Sequence, residues 1–428
     1  MQSRPAGPGP DGAMSRRSLL KLAGLGALGL GALSLTGCGR NPADPAGSDT
    51  STVFTSWTLG NENQAPQLTA MLDEFAAANS VSVGTTNYPY HQYLDQIVLK
   101  ARSGKLSGVL HLDEEWLSTL ATAGVLRPVE SLYDASLYPD VVDDSGVYRG
   151  RRLSMPWAYS GLGLVSNGEL LAEAGVGGQD LTTPEGFYGA LKRIKALDPS
   201  IVPYAPSTHV QQIKDIIPWM WAFGGTIVRN GTVTVGDEGS LEALDYWKRL
   251  LDEGLIQAGM LREDARTLFG QGRAAIYDDA PQAIRVIPDQ SPDAGIEAKM
   301  APVPRPGGLC LSWSQPLVVL DDSPASAALA QYLSTDEGAL QTAFEVIGQP
   351  PALSSASARP WITGNAFLQR WNEMVLPQAR TNPLWTFPAA TAAQTRFNEE
   401  VEAALAGAKS ASSAMRTARE DLQTMLTI

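Results

Sequence analysis

From residue 53 onward the chain alternates short β-branched or aromatic runs with longer segments whose apolar residues recur at helical spacing, and this order restricts the fold more than anything else in the sequence. Val53-Phe54-Thr55-Ser56-Trp57 reads as a first strand. Past the polar turn Gly60-Asn61-Glu62-Asn63-Gln64, the residues Leu68, Met71, Leu72 and Phe75 fall on one face of a helix. Val81-Ser82-Val83 predicts a second strand, Leu94, Ile97, Val98 and Ala101 a second helix, and residues 108–112 a third strand. Trp116, Leu117, Leu120 and Ala121 give a further helix that stops at Gly124, with Trp116 at a core spacing. Strands and helices in alternation imply an α/β sheet with helices on its faces.

The pattern continues past the middle. Residues 152–166 carry few charges and several glycines, and are extended enough to leave one part of a fold and enter another. Thr183-Pro184-Glu185 predicts a helix start, with Thr as the cap and Pro at the first helical position. Residues 241–251 form an amphipathic helix ending near Gly254; 267–269 read as a helix end leading into a strand at 274–277. Residues 389–428 read as helices with a break at Gly407.

The first forty residues belong to a different category. Arg16 and Arg17 precede an apolar run, residues 22–35, made only of Leu, Ala, Gly and Ser, and then Leu35-Thr36-Gly37-Cys38. A positive end, a short apolar run and small residues before a cysteine have the layout of a bacterial signal peptide. As a helix that run spans about 21 Å, short of the roughly 30 Å hydrocarbon core. The twin arginines resemble a Tat signal, with Leu19 where Phe is usual, so Sec export stays open. Leu-Thr-Gly-Cys resembles a lipobox, which makes Cys38 the expected lipidation site. We therefore expect a signal peptide over 1–37, with Met1 or Met14 as its start, and a flexible tether over 38–52, rich in Pro, Ala, Gly, Ser and Asp. The expected location is extracytoplasmic, on the outer face of the bacterial cell membrane.

Composition then removes several functions. With 45 acidic against 32 basic side chains and a net charge of −13, the chain has no broad footprint for nucleic acid. Three histidines and two cysteines leave few metal ligands or nucleophiles, and processing at Cys38 leaves Cys310 as the one thiol, expected to be a small core residue. We expect no metal and no cofactor. No Gly-x-Ser-x-Gly elbow, His-Glu-x-x-His or Walker loop occurs, and Gly161-x-Gly163 lacks a third glycine.

Several segments together carry a family likeness. Gly104-Lys-Leu-Ser-Gly-Val-Leu-His-Leu-Asp113, followed by Trp116 and Ala123-Gly124-Val-Leu-Arg-Pro128, is similar to a "G-x-x-P-D-V…L-x-x-x-G-x-L-x-P-L" stretch, with Ser107-Gly108 in place of Pro-Asp. Tyr148-Arg-Gly-Arg-Arg-Leu-Ser-Met-Pro156 resembles "G-x-x-Y-G-x-P", and Leu164-Val-Ser-Asn167 with Leu170, Leu171 and Ala174-Gly175 resembles "Y-Y-N…L-F-x-x-A-G". Ala222-Phe-Gly-Gly225, Leu268-Phe-Gly-Gln-Gly272-Arg-Ala-Ala275 and Ala301-Pro-Val-Pro304 complete the series. In this order, over essentially all of the mature chain, they resemble family-1 extracellular solute-binding proteins of ABC importers, the group that includes maltose-binding proteins.

The resemblance implies a two-lobed periplasmic-binding-protein fold (type II-like, α/β), with a ligand cleft between lobes joined by crossover strands. It places lobe one at 53–155 plus 313–347 and lobe two at 156–312 plus 348–428. It implies a monomer that captures a small polar ligand, most simply a sugar, and hands it to permease subunits, without catalysis. A sugar presents C–H faces to aromatic rings and hydroxyls to Asp, Glu, Asn or Gln. Position along the family pattern nominates Asn61, Glu62 and Gln64 after the first strand, and Asp113 and Glu114 after the third. It adds Trp157 and Tyr159 at the first crossover, then Gln212, Trp219 and Trp221 before the double glycine. Asp278 and Asp279, Trp313 at the second crossover, and Trp385 complete the set. Trp219 and Trp221, two apart on a helix, face different ways, so at least one belongs to the core. Acids and tryptophans with few bases nearby favour a neutral polyol, Lys214 being the exception. Three alternatives stay open: a polyamine or glycerophosphodiester ligand in the same fold, an exported carbohydrate-active enzyme using two carboxylates, and a scaffold or adhesin with no ligand.

Overall fold

The computed structural model describes residues 49–426, apart from positions 144 and 349. The twin arginines, Cys38 and most of the expected tether lie outside the described residues.

The first strand is β1 (Ser51–Thr55), and a single 3-10 turn, Trp57–Gly60, takes over at Trp57. Ser56 caps that turn by accepting from the Thr58 N–H, so the chain leaves the strand at Trp57, just past the carboxyl end of β1. Helix α1 (Ala65–Asn79) buries Leu68, Met71, Leu72 and Phe75, the stripe its spacing predicted. Then come β2 (Ser82–Thr86), α2 (Tyr90–Arg102) and β3 (Val109–His111). Both β2 and β3 lie parallel to β1, a pairing that needs crossovers, and α1 and α2 supply them. The chain enters β3 through Gly108 at φ +88°, where a Cβ would stand 2.1 Å from the Val53 carbonyl oxygen. No side chain fits there, which accounts for glycine in place of the Asp of the family-like stretch.

The expected long crossover is β4 (Met155–Asn167), buried at every position. It is followed by α3 (Pro184–Leu197), capped by Thr183 Oγ1 accepting from Gly186 N–H, then β5 (Val202–Ala205) and α4 (Ile216–Ala222). Next are α5 (Glu238–Asp252), α6 (Arg262–Gly270), β6 (Ala274–Asp279), β7 (Met300–Val303) and a second long strand, β8 (Cys310–Val319). Helices α7 (Pro324–Thr335) and α8 (Glu337–Ile347), the short β9 (Ala379–Arg380), α9 (Ala390–Leu405) and α10 (Ala411–Leu426) finish the chain. The sheet runs β2-β1-β3-β8-β4-β6-β5, with β7 added on β4 and β9 on β8.

The two long strands join the parts of this sheet. The first half of β4 pairs antiparallel with β8, whereas its second half lies between β6 and β7. Apolar side chains follow the same division. Phe54, Leu72 and Phe75 pack with Leu329, Leu333 and Leu340 of α7 and α8 on the β1 side. Phe187, Trp219, Trp247 and Phe397 pack together beyond β6. Trp247 sits on the buried stripe of α5 with Ala243, Leu244 and Leu250, and full burial of such a ring contributes about 3 kcal/mol. Cys310 is buried against Gly161 and Val375, and burial pushes its thiol up to about 12, so it packs as a small inert group. Among the described residues no helix is long and apolar enough to cross a membrane.

Candidate ligand-binding site

The strands β1, β3 and β6 all end at one cavity of about 850 Å³, the position at which open α/β sheets place ligands. A smaller cavity of about 340 Å³ near Gly163, Cys310 and Val375 has mostly apolar walls and lies away from these strand ends.

On the β1 side the wall is aromatic. Trp57, Tyr90 and Trp116 line it together, with ring centroids 5.2–5.8 Å apart in edge-on or tilted contacts. Asn61 and Gln64 contribute amides from the turn and first residues leading into α1. Trp313 and Gln315, two apart on β8 and therefore on one strand face, add a ring and a carboxamide from the crossover. Beside them Asp113 accepts a hydrogen bond from the Tyr90 hydroxyl at 2.9 Å. It is 1% exposed, and its Oδ1 has no partner. Burial raises its carboxyl to about 6, reinforced by the charge of Glu115 and opposed by Lys214 and the Tyr90 hydroxyl.

On the β6 side the wall is charged, and each cation already holds a carboxylate. Arg266 grips Asp279 through Nε and Nη2, at 2.8 and 2.7 Å. Burial alone would raise the Asp279 carboxyl, but Arg266 outweighs it and the group sits below the usual range. Arg262 donates to Asp215 at 2.7 Å and to the backbone oxygen of Asp278. Gln212 accepts from the Arg262 N–H and donates to Glu263, so its amide is oriented on both sides. Lys214, two residues before α4, lies 3.5 Å from Glu115, and both line the cavity.

Of the nominated residues, Asn61, Gln64, Asp113, Gln212, Asp279 and Trp313 line this cavity. The others do not, each for a physical reason. Glu62 is exposed in its turn. Glu114 points under the wall, towards Ser312 Oγ at 3.5 Å, and burial with the neighbouring Asp113 charge raises its carboxyl to about 8. Trp157 and Tyr159 face the core of the β1 side, where Trp157 meets Phe54 edge-on. Trp219 is core, donating to the Tyr204 hydroxyl, and Trp221 is half-buried against the same cluster. Asp278 is consumed in a buried ion pair with Arg305 at 3.0 Å. Trp385 is buried behind Lys214, whose ammonium lies 5.4 Å from its ring.

The expectation of a wall poor in bases is corrected: Lys214, Arg262 and Arg266 all contribute to it. Trp116, assigned to the core by its spacing, lines the cavity while stacking on Tyr93. Tyr90 and the Arg pair were missed as well. For the arginines a signal existed, since 262 and 266 stand four apart on one helix face.

A family description fits this arrangement. Residues 70–370 match the bacterial extracellular solute-binding proteins. The chain belongs to that family. The fold of this solute-binding protein is similar to the GacH receptor of Streptomyces glaucescens, solved free and with acarbose (21% identity, TM-score 0.77, 88% of this chain and 98% of that one). It is similar to the maltose-bound MalE3 of T. maritima (20%, 0.76, 87% and 99%) and to the sugar-binding MalE of Xanthomonas citri (18%, 0.75, 88% and 98%). These neighbours are binding proteins rather than enzymes. Curated binding proteins of Brucella abortus and Brucella suis are 24% identical over 225 residues, 48% of this chain and 52% of theirs. The chain thus spans about half the length of the curated relatives it matches. The two-lobed periplasmic-binding-protein fold is that of its structural neighbours, and the family is an extracytoplasmic one.

Proposed function

We propose that this solute-binding protein captures a mono- or oligosaccharide in the 850 Å³ cavity and delivers it to the permease subunits of an ABC importer. The observation that carries the reading is the pairing of aromatic rings with oriented polar groups around one cavity. Trp57, Trp116 and Trp313 offer apolar faces, while Asn61, Asp113 and Gln315 offer directional hydrogen bonds. The acarbose, maltose and tagatose named for its structural neighbours are of the same chemical class. The protein acts as a monomer without catalysis, tethered by lipid on Cys38 after export. Residues 53–155 plus 313–347 form one lobe and 156–312 plus 348–428 the other, closing on the ligand about β4 and β8.

A second reading has one observation in its favour. Five carboxylates and three cations line the cavity, an excess that suits a polyamine. A thermal-shift screen of saccharides, polyamines and glycerophosphodiesters separates the two. A ligand at a hundred times its Kd adds about 2.7 kcal/mol to the folded state, a shift of a few degrees. Saccharide hits that persist in 0.5 M salt support the first reading, and polyamine hits that salt abolishes support the second. No shift from any saccharide sinks the proposal.

A further inference from the structure

Behind Trp57 and Gln315, and not itself part of the cavity wall, His111 ends β3 with no solvent exposure. Its imidazole stacks on the Trp57 indole at 3.8 Å, with the planes 25° apart, and meets Trp157 edge-on. Both ring nitrogens are engaged. Nδ1 lies 2.8 Å from Ser56 Oγ, and Nε2 lies 3.2 Å from Gln315 Oε1. Ser56 Oγ is in turn 2.6 Å from Thr58 Oγ1, and Thr58 lines the cavity. One line of hydrogen bonds therefore starts and ends on the wall.

The direction of that line follows from the acceptor at its end. An amide oxygen cannot donate, so contact with Gln315 Oε1 requires the proton on Nε2. Nδ1 is then an acceptor, the Ser56 hydroxyl donates to it, and the Thr58 hydroxyl donates to Ser56. Burial lowers the imidazole to about 3, against a smaller opposing effect of Gln315, so the ring stays neutral with one proton only. The Oε1 contact turns the other side of the Gln315 carboxamide, its N–H₂ group, away from the imidazole, and Gln315 lines the cavity. The strand helps to aim it. Register shifts between Gln315 and Leu317, the residue opposite His111, an irregularity of the kind that redirects side chains.

We propose that His111 is a positioning residue for ligand recognition: it fixes the plane of the Trp57 platform and turns the Gln315 carboxamide so that N–H donors meet the ligand. Thr58, whose proton is committed to Ser56, presents lone pairs at the other end. The ligand therefore places an acceptor oxygen against Gln315 and a hydroxyl donor against Thr58, a pattern that a sugar's hydroxyls satisfy. The identity of the ligand rests on the saccharide reading, whereas the proton arrangement does not.

Two measurements test this. The chain has three histidines, so its imidazole nitrogen NMR spectrum holds three spin systems. The signal lost in His111→Phe should report a neutral ring protonated at Nε2, and Gln315→Leu should remove that preference. A proton on Nδ1 in the unmodified protein overturns the proposal. Calorimetric titration with maltose gives the second arm. His111→Phe keeps a ring against Trp57 without the hydrogen bonds, and it and Gln315→Leu should each weaken binding about tenfold. Because they remove the same contact, the double variant should bind no worse than the weaker single one. Losses that multiply in the double variant overturn the proposal, as does full affinity in His111→Phe. Ser56→Ala, which acts from outside the ring, replaces His111→Phe if that variant does not fold, with the same loss expected. If the unmodified protein binds no saccharide, the functional reading fails while the spectrum still decides the role of His111.

Discussion

Glu114→Gln should make this protein more stable, and increasingly so as pH rises. Glu114 is buried beneath the cavity wall with the Asp113 charge beside it, and a long hydrogen bond from Ser312, the Ser314 backbone and the Lys214 charge offset this only in part. These surroundings hold its carboxyl at about 8, against an ordinary 4.5. The folded state thus keeps a proton that the unfolded chain releases. Stability from this group is complete below pH 4.5 and is lost as pH rises, until the folded form ionises near pH 8. At about 1.4 kcal/mol per pH unit, the loss reaches about 3 kcal/mol at pH 7. A glutamine keeps the shape and has nothing to titrate. Urea unfolding of both proteins at pH 5, 6, 7 and 8 should show an advantage for Gln of under about 1 kcal/mol at pH 5, growing to about 3 kcal/mol at pH 7. An advantage that stays constant over that range, or a variant less stable at pH 8, refutes the reasoning.

Three further outcomes follow, two from the structure and one from the sequence before residue 49. Arg305→Met leaves the Asp278 carboxylate buried without its cation, at a cost of about 3–5 kcal/mol that lowers the urea midpoint; a loss under about 1 kcal/mol would show the pair to be relaxed by water. Gly108→Ala forces a Cβ to 2.1 Å from Val53 O at φ +88°, and should cost about 2 kcal/mol or more in the same assay, whereas an unchanged midpoint would contradict the β3 entry geometry. Cys38→Ala should abolish incorporation of a labelled fatty acid and release the protein into the medium; retained label would place the anchor elsewhere.

Much of the framework was legible because it depends on local pattern. The buried stripe of α1, the Thr183 cap of α3 and the uncharged run of β4 are each written in adjacent residues. The site was legible where it follows from topology. Asp113 and Asp279 stand at the ends of strands β3 and β6, and Trp313 is on the second crossover. It was illegible where only the packing of distant elements decides. Trp157, Trp219 and Trp313 look alike in sequence, yet the first two fill cores and the third faces the cavity. Trp116 does both, stacking on Tyr93 with one part and reaching the cavity with another. Glu114 and Asp113 are neighbours in the chain, and the 3-10 turn that begins at Glu114 sends one under the wall and leaves the other on it. The cations were misjudged because their carboxylate partners, Asp215 and Asp279, come from other segments.

The proposed function requires a saccharide in the cavity at the ends of β1, β3 and β6. A crystal structure of the protein grown with the saccharide that gives the largest thermal shift tests it most directly. A sugar ring should lie against Trp57 or Trp313, with hydroxyls within hydrogen-bond distance of Asp113 and Gln315. A saccharide bound outside this cavity, with the cavity holding only water, would contradict it.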